Sequence, residues 1–577
     1  MQELLLGNEA VARGAWEAGC TVAAAYPGTP STEITENIAK YDDIYAEWSP
    51  NEKVALEVGI GASIAGARTL VCMKHVGLNV AADPLFTVAY TGVNGGLVIV
   101  VADDPGMHSS QNEQDSRYYA RAAHIPCLEP SSSEEAKDMI KMAFELSESY
   151  DTPVMVRMTT RVSHSRGLVE MQDRVDVPLK DYVKDVAKNV MMPGMARGRH
   201  KVVEAREIKL AEDCNALDIN QEIKKDSKIG VITSGLPYQY TLQALPDASI
   251  LKLGLVYPLP MKKIKAFAKT VDRLIVIEEL EPLIERDIKA AGIACEGKEL
   301  FTIQGEYSTN MITDAILGTS QGDIAPEAGL PIRPPIMCPG CPHRGAYYIM
   351  KKMKLTVTGD IGCYTLGALP PLASMDACVC MGASIGMAHG MEKARGKEFA
   401  GKTVAIIGDS TFMHSGLTGL ANVVYNSGNS TVIIVDNRTT GMTGHQNNPT
   451  NGLSIKGEPA HEIDITAVCQ ALGVGYIKTI DPFDLKGFQA GLKEALAFDG
   501  PSVIISKREC ALLDKSKWEK PYYVEADTCI GCKTCIRLGC PALVNDGEKV
   551  RIDTALCVGC GLCASVCPTS AIKAGDE

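Results

Sequence analysis

Two cysteine-rich runs close to the end of the chain constrain its fold more than any other feature. The first run extends from Cys529 to Pro541, and the second extends from Cys557 to Pro568. The second has the C-x2-C-x2-C-x3-C-P spacing that holds iron–sulfur clusters, and the first has one extra residue before its last cysteine. Two such runs in tandem predict a small domain organised around two [4Fe–4S] clusters.

In sites of this kind each run supplies three ligands to one cluster and the fourth ligand to the other. We therefore expect two ligand sets: Cys529, Cys532, Cys535 with Cys567, and Cys557, Cys560, Cys563 with Cys540. A pair of zinc sites is the alternative, because closely spaced thiolates also bind zinc. Nothing in the sequence indicates secretion, so metal binding is favoured over disulfides.

Length and charge narrow the class of protein. A chain of 577 residues is too long for one hydrophobic core and predicts about three or four domains. The formal charge of −13 argues against non-specific binding to nucleic acid, which needs a basic face. The first residues lack the features of a signal peptide, and the longest apolar runs are too short to span a membrane. We expect a cytoplasmic enzyme without a nucleic-acid or membrane partner.

Short apolar runs alternate with amphipathic segments along most of the chain, which predicts an α/β protein with several open parallel sheets. The stretch Ser249–Pro260 is predicted as one strand, and Pro326–Gly340 is predicted as a proline-rich connector. We expect five regions: an α/β domain at 1–160, a linker at 161–227, a second α/β domain at 228–330, a third at 331–515 and the cysteine-rich domain at 516–577.

A polar motif follows two neighbouring strands of the third α/β domain. One strand ends in Gly408-Asp409-Ser410, and the next ends in Asp436-Asn437. This pattern resembles the G-D-G…N-N signature of thiamine diphosphate enzymes. Oxygens of Asp409 and Asn437, at the carboxyl ends of parallel strands, are suited to Mg²⁺, which bridges the diphosphate. The alternative is an ordinary strand–helix turn that happens to contain an aspartate.

A glutamate against the pyrimidine ring is the second requirement of this cofactor. The segment Asn51–Arg68 offers Glu52 and Glu57, followed by small residues that allow close helix packing. Its spacing is similar to the pyrimidine-domain helix of thiamine-dependent enzymes. We expect Glu57 to be the buried catalytic carboxylate and Glu52 to be an exposed capping residue. The alternative is that both are surface glutamates.

Together these motifs resemble the 2-oxoacid:ferredoxin oxidoreductase family over nearly the whole chain. The early turn "YPGTPSTE" and the later motifs "CPGCPHRG", "TGDIGCYTLG" and "MGASIGMAHG" are most similar to its indolepyruvate-type members. The resemblance implies a pyrimidine-type domain at 1–160, a transketolase C-terminal-like domain at 228–330, a diphosphate-type domain at 331–515 and a two-cluster ferredoxin domain in the tail.

The resemblance also implies an activity. It is the oxidative decarboxylation of an aryl 2-oxoacid to its acyl-CoA and CO2, with two electrons passed through the clusters to ferredoxin. CoA is then a co-substrate. The chain has no obvious CoA-handling domain, which implies a smaller beta subunit in a hetero-oligomer. The alternatives are a non-redox thiamine diphosphate-dependent decarboxylase, an oxidoreductase for another 2-oxoacid, and an electron-transfer subunit whose catalysis lies in its partner.

Further site residues rest on the resemblance. The Thr439 carbonyl is expected as a third Mg²⁺ ligand. Tyr26 and Thr29, in the turn that follows an early strand, are expected to face the cofactor and substrate, although a purely structural Pro-Gly turn is the alternative. His75 follows a strand and is expected to reach the site, with a structural histidine as the alternative.

Four cysteines outside the tail form the last candidate site. Cys338 and Cys341 form a CxxC motif, and Cys363 and Cys510 follow predicted strands of the domain that carries Asp409. Parallel strands end at the same edge of a sheet, so these thiols are expected to meet. Relatives with a similar CxxC and two distant cysteines hold a third [4Fe–4S] cluster there. A zinc site, or buried thiols that never meet, are the alternatives.

Overall fold

The chain folds into two units, Met1–Leu330 and Pro331–Glu577, and each unit is built around parallel sheets. The structure is a computed structural model that describes residues 1–319, 329–330 and 334–575. The predicted connector Pro326–Gly340 lies partly outside the described residues. The segments predicted as 1–160, 161–227 and 228–330 all belong to the first unit.

Strands and helices alternate along the first unit. Its strands are β1 (Gln2–Leu6), β2 (Val22–Ala25), β3 (Tyr45–Trp48), β4 (Thr69–Lys74), β5 (Leu97–Asp103), β6 (Cys127–Leu128), β7 (Val154–Thr159), β8 (Arg166–Glu170), β9 (Gln221–Ile223), β10 (Ile229–Ser234), β11 (Ser249–Leu253), β12 (Leu255–Tyr257) and β13 (Arg273–Ile277). Its helices are α1 (Gly7–Glu17), α2 (Thr32–Ile38), α3 (Glu52–Ile64), α4 (His75–Val80), α5 (Ala82–Thr91), α6 (Arg117–Ala122), α7 (Ser133–Tyr150), α8 (Thr160–His164), α9 (Val186–Asn189), α10 (Pro193–Asp213), α11 (Gly235–Ala244), α12 (Met261–Ala268), α13 (Leu283–Ala290) and α14 (Thr309–Leu317).

These strands form two larger sheets and one pair. The first sheet has the order β12-β6-β7-β5-β4-β2-β3, the second has the order β13-β10-β11-β9, and β1 pairs with β8. Every residue of β4, β5 and β7 is buried. A parallel sheet covered on both faces requires such apolar runs, because neither face meets water. The predicted α/β fold with parallel sheets is therefore confirmed.

The stretch predicted as one strand, Ser249–Pro260, is two strands in different sheets, so that prediction was wrong. β11 pairs with β10, whereas β12 pairs antiparallel with β6. The break falls at Gly254, where the side-chain oxygen of Asn220 accepts the backbone N–H groups of Gly254 and Leu255 at 3.0 and 3.1 Å. A Cβ on Gly254 would lie 2.8 Å from the carbonyl oxygen of Ile219, so this approach needs glycine.

The second unit contains a six-stranded parallel sheet and the cysteine-rich tail. Its strands are β14 (Thr356–Gly359), β15 (Ala377–Cys378), β16 (Thr403–Gly408), β17 (Thr431–Asp436), β18 (Tyr476–Ile480), β19 (Ser502–Lys507), β20 (Tyr523–Val524), β21 (Leu543–Asp546), β22 (Lys549–Ile552) and β23 (Ile572–Lys573). Its helices are α15 (His343–Met353), α16 (Ala383–Arg395), α17 (Lys397–Ala400), α18 (Asp409–Thr411), α19 (Leu417–Tyr425), α20 (Ile465–Ala471), α21 (Leu485–Ala497) and α22 (Leu562–Ser565). The sheet order is β15-β14-β16-β17-β19-β18.

Side chains of the central strands alternate between two cores. Val404 and Ile406 pack on one face, and Ala405 and Ile407 pack on the other. In the tail, β20 pairs with β23 and β21 pairs with β22, both antiparallel. Across the part of the chain that the structure describes, no helix combines the length and the apolar character needed to cross a membrane.

Candidate functional site

The carboxyl ends of β16 and β17 carry the predicted magnesium ligands. The two strands are parallel neighbours with Gly408 opposite Val435, so Asp409 and Asn437 leave the sheet side by side. Both side chains are buried, as are Ser410 and Thr439. A π-helical turn, Phe412–Gly416, interrupts the helix that begins at Asp409, and such turns occur often at functional sites.

Oxygen atoms converge at this edge. One atom of the Asn437 amide lies 3.2 Å from Asp409 Oδ1 and 2.8 Å from the carbonyl oxygen of Thr439. If this atom is the amide nitrogen, it donates a hydrogen bond to both oxygens. If it is the amide oxygen, three oxygen atoms face one another, and a cation between them is needed to offset their repulsion. Octahedral Mg²⁺ with oxygens at about 2.0–2.1 Å places adjacent ligands about 2.9 Å apart, so the three residues fit this ion.

The surroundings of the Asp409 carboxylate favour a cation beside it. Burial, together with the nearby Asp436 carboxylate, raises the pKa of Asp409 to about 7. Its Oδ2 accepts hydrogen bonds from Asn448 Nδ2 at 3.3 Å and Thr450 Oγ1 at 3.1 Å. Sequence reasoning missed Asn448 and Thr450. The only signal was the polar stretch "HQNNPTNG" that follows the motif.

Of the four cysteines predicted to hold a third cluster, two follow strands at the same edge of the sheet. Cys363 follows β14 and Cys510 follows β19, and the Cys510 N–H donates to the Asn437 carbonyl at 3.1 Å. A Cβ on Gly441 would lie 3.4 Å from Cys363 Sγ and 3.7 Å from the Asn437 amide nitrogen.

The thiols of this group influence one another electrostatically. Burial raises the pKa of Cys341 to about 12 and that of Cys363 to about 11, and neighbouring thiols of the set contribute to both shifts. Burial, and then Cys338, also raise the pKa of Cys510. The four thiols therefore lie near enough to interact electrostatically, and a cluster held by all four stays a prediction.

In the tail, the eight cysteines divide between two cavities. One, which we call the inner cavity, has a volume of about 20 Å³ and is lined by the tail thiols Cys540, Cys557, Cys560 and Cys563. The other, which we call the outer cavity, also has a volume of about 20 Å³ and is lined by Cys529, Cys532, Cys535 and Cys567. Each cavity receives its fourth thiol from the other run, which is the predicted division. Among the described residues, no three His, Cys, Asp or Glu side chains are grouped closely enough to hold a single metal ion.

In the first unit, the structure reverses the expected roles of the two glutamates. Glu57 is 46% exposed and forms an ion pair with Lys53 on the surface of α3, so the prediction that it is the buried carboxylate was wrong. Glu52 is 4% exposed, at the first position of α3. A Cβ on Gly77 would lie 2.5 Å from Glu52 Oε1, so a larger residue at this position would displace the carboxylate from its place against α4.

His75 and the residue before it lie at the carboxyl end of β4. The His75 side chain is buried, and neither ring nitrogen forms a well-aligned hydrogen bond with any of the described residues. Burial lowers the pKa of His75, and the nearby charge of Asp103 and the backbone of Asn112 oppose this effect only in part. Lys74, which sequence reasoning missed, is also buried, and burial lowers its pKa to about 8. Two buried basic side chains at adjacent positions, both with lowered pKa values, indicate a place where a ligand could bind.

The predicted turn with Tyr26 and Thr29 lies beside Lys74. The Lys74 ammonium donates to the carbonyl oxygen of Ser109 at 2.6 Å, and Ser109 Oγ donates to the Thr29 carbonyl at 3.0 Å. A Cβ on Gly28 would touch Lys74 Cβ at 3.2 Å. Tyr26 is buried directly after β2. The structure therefore brings the turn, the Lys74–His75 pair and the loop around Ser109 together.

Comparisons with known proteins divide the chain into four matched segments. Residues 13–223 match "Pyruvate flavodoxin/ferredoxin oxidoreductase, thiamine diP-bdg", and residues 220–318 match "Indolepyruvate oxidoreductase domain". Residues 360–506 match "Thiamine pyrophosphate enzyme, C-terminal TPP binding domain", and residues 550–573 match "4Fe-4S binding domain".

Two curated relatives align over almost their whole length. "Indolepyruvate oxidoreductase subunit IorA" of Archaeoglobus fulgidus is 40% identical over 99% of this chain and 97% of its own. The protein of the same name from Thermococcus kodakarensis is 42% identical over 100% of this chain and 97% of its own. Among solved structures, the 2-oxoglutarate:ferredoxin oxidoreductase of Magnetococcus marinus covers 55% of this chain and 65% of its own, with 17% identity and a TM-score of 0.48.

Proposed function

This chain belongs to the indolepyruvate oxidoreductase subunit IorA family of 2-oxoacid:ferredoxin oxidoreductases, and from that membership we propose that its substrates are aryl 2-oxoacids of the indolepyruvate type. The activity is thiamine diphosphate-dependent oxidative decarboxylation, with electrons passed through iron–sulfur clusters to ferredoxin. The predicted family, fold class and activity are confirmed. The relatives' designation as a subunit implies a partner chain, and we propose that it is the smaller beta subunit of a cytoplasmic hetero-oligomer.

One observation in the second unit carries the redox assignment. Asp409 and Asn437, which are suited to Mg²⁺, share a sheet edge with Cys363 and Cys510, and the backbones of Asn437 and Cys510 are hydrogen-bonded. A decarboxylase without a redox step has no use for thiolates that could hold an electron-accepting cluster at this place. An electron-transfer subunit without catalysis has no use for a magnesium site. The shared edge therefore favours an oxidoreductase over both alternatives.

Residues of the second unit fit the diphosphate end of the cofactor. Asp409 Oδ1, the Asn437 side-chain oxygen and the Thr439 carbonyl would hold Mg²⁺, with Gly408 and Ser410 next to the diphosphate. When bound, thiamine diphosphate supplies the nucleophilic carbon that makes the decarboxylation of a 2-oxoacid possible. Asn448 and Thr450 orient Asp409 by donating to its other oxygen.

In the first unit, Glu52 replaces Glu57 as the proposed catalytic carboxylate. Its burial at the start of α3, against Gly77, gives the dry environment in which a carboxylate shares a proton effectively with a ring nitrogen. Glu57, on the surface, has no such environment.

We assign Lys74 and His75 to the substrate side. A 2-oxoacid carries a carboxylate, which requires a cation or several donors when it is held away from water. The Lys74 ammonium has three N–H groups, and both acceptors that it contacts belong to Ser109. It can therefore also donate to a substrate carboxylate. His75, next along the chain, can hold or release a proton close by, and Tyr26 and Thr29 border the same place.

The thiols define the route of the electrons. The motif Cys338–Cys341 contributes Cys341 both to the four-thiol group beside the magnesium site and to the wall of the inner cavity. A Cβ on Gly340 would lie 2.6 Å from Val558, so glycine lets this loop pack closely against the tail. We propose a third [4Fe–4S] cluster at Cys338, Cys341, Cys363 and Cys510, followed by the inner and then the outer cluster.

The function is tested with the complex reconstituted from this chain and the smaller subunit. We expect reduced ferredoxin to form only when both a 2-oxoacid and CoA are present, and indolepyruvate and phenylpyruvate to react faster than pyruvate or 2-oxoglutarate. Release of CO2 without reduction of ferredoxin would identify a non-redox decarboxylase. A preference for pyruvate or 2-oxoglutarate would refute the aryl assignment alone.

A further inference from the structure

Arg344 is a buried cation between the CPGC loop and the tail. It is the second residue of α15, and its side chain is 2% exposed. Its Nη2 donates to the carbonyl oxygens of Met337 and Cys338, both at 2.9 Å, and its Nη1 donates to the carbonyl oxygen of Leu538 in the tail at 2.7 Å. One guanidinium therefore joins the loop to the segment that leads into Cys540.

Part of this guanidinium has no acceptor. The Arg344 Nε atom is buried and has no hydrogen-bond partner among the described residues. Burying a charged donor without an acceptor is unfavourable, and buried donors normally have partners. The side chain lines the inner cavity, where the four thiols Cys540, Cys557, Cys560 and Cys563 also lie.

The electrostatics of the inner cavity depend on this residue. Arg344 is the only charged side chain among the described residues that line it, and the other lining side chains are cysteines and apolar groups with one tyrosine. Its positive charge lies in the same cavity wall as the thiols. In surroundings of low polarity the interaction between them is screened weakly.

We propose that Arg344 donates to a sulfur of the inner cluster through Nε and raises the reduction potential of that cluster. The proposal rests on the proposed function because it requires clusters at the assigned cysteines. Reduction adds one electron and therefore one negative charge to the cluster. A fixed positive charge beside it stabilises the reduced form more than the oxidised form, and hydrogen bonds to cluster sulfurs act in the same direction. Electrons released by the reaction, and passed on by the cluster proposed beside the magnesium site, would then move favourably to the inner cluster.

The outer cavity offers a matched comparison within the same tail. The side chains that line it include Lys533, and the sulfur of Cys532 is exposed, so water screens its charges more effectively. Loss of Arg344 should therefore change the potential of one cluster and leave that of the other in place.

The test is a redox titration of the holoenzyme complex, reduced with dithionite and followed by electron paramagnetic resonance. In Arg344→Gln the ratio of reduced to oxidised inner cluster at a fixed potential should fall at least about tenfold, which is 59 mV for one electron. Arg344→Lys, which keeps the charge, should recover most of the shift. Arg537→Gln is the control, because it removes an exposed arginine one residue before Leu538. An unchanged potential in Arg344→Gln, or an equal shift in Arg537→Gln, would overturn the proposal.

A second measurement does not depend on the variants being stable. In the unmodified complex grown with ¹⁵N-arginine, pulsed resonance should detect an arginine nitrogen or its proton coupled to the reduced inner cluster. The absence of this coupling would also overturn the proposal. Both measurements use a chemical reductant, so they remain valid if the enzyme fails to oxidise aryl 2-oxoacids.

Discussion

Glu52 and Glu57 lie on the same helix in opposite environments. Five positions at about 100° each place them about 140° apart around the helix axis, so one faces α4 and the other faces solvent. Both glutamates precede the same run of small residues, and that spacing alone could not assign the buried face.

The two glutamates can be distinguished by the exchange of the thiazolium C2 proton for deuterium. Glu52→Gln should slow this exchange about 10²–10⁴-fold, the usual contribution of a positioned acid–base group, while the cofactor still binds. Glu57→Gln is the matched control and should exchange at the normal rate, because its carboxylate is 46% exposed and pairs with the exposed Lys53. Slow exchange in Glu57→Gln with normal exchange in Glu52→Gln would restore the original assignment.

Lys74 should act on substrate binding through its charge. Lys74→Gln is expected to raise the KM for an aryl 2-oxoacid about 10- to 100-fold, because a hydrogen bond to a charged group contributes about 1.5–3 kcal/mol. With a pKa lowered to about 8, the ammonium is protonated below pH 8, so affinity in the unmodified enzyme should fall as the pH rises above 8.

The exposed Lys53→Gln serves as the control for Lys74. The neutral amide of the same 2-oxoacid should bind the unmodified enzyme weakly, and Lys74→Gln should no longer distinguish acid from amide. Unchanged KM values and retained discrimination in Lys74→Gln would exclude contact between this lysine and the carboxylate.

At the scale of elements, the edge formed by β16 and β17 should bind Mg²⁺ in a pH-dependent way. Asp409, with a pKa raised to about 7, is protonated below that pH and must lose its proton to bind the ion. Apparent Mg²⁺ affinity, measured by calorimetry with thiamine diphosphate, should therefore fall about tenfold per pH unit below 7 and level off above it.

Two variants examine this edge further. Asp409→Ala should abolish Mg²⁺-dependent cofactor binding and leave both tail clusters intact. Asp436→Asn removes the neighbouring negative charge and should move the pH profile to lower values. Normal cofactor affinity in Asp409→Ala, or a profile that does not move in Asp436→Asn, would contradict this account.

The two tail runs should exchange their fourth ligands. Cys540→Ala is expected to alter the same resonance signal as Cys557→Ala, because both thiols line the inner cavity. Cys567→Ala should alter the same signal as Cys529→Ala, since both line the outer cavity. If Cys540→Ala instead matched Cys529→Ala, each run would hold its own cluster.

At the scale of the whole molecule, three clusters predict about twelve irons per chain, at four irons for each cluster. The double variant Cys338→Ala, Cys341→Ala should lose about four of them, keep both tail signals and stop reducing ferredoxin. Cys378→Ala, a cysteine outside all three sets, is the control. Full iron content in the double variant would remove the third cluster and leave the tail as the only carrier.

Several features were readable from the sequence because their physical causes are local. Cluster ligation depends on cysteine spacing of a few residues, so the sequence alone predicts how the eight tail thiols are divided between two cluster sites. Asp409 and Asn437 directly follow apolar runs, and parallel strands place such residues at one edge. The same reasoning predicted that Cys363 and Cys510 would meet.

Other features were decided only by tertiary structure. Asn220 accepts the N–H group of Gly254, where the predicted strand is interrupted. Gly77 leaves room for the Glu52 carboxylate. Arg344 donates to the carbonyl oxygen of Leu538, which is 194 residues away in the sequence. Local spacing carries no information about such partners. Burial and hydrogen bonding at these positions depend on which elements pack together. The free energy needed to charge an ionisable side chain depends on those spatial surroundings, and not on its neighbours in the sequence.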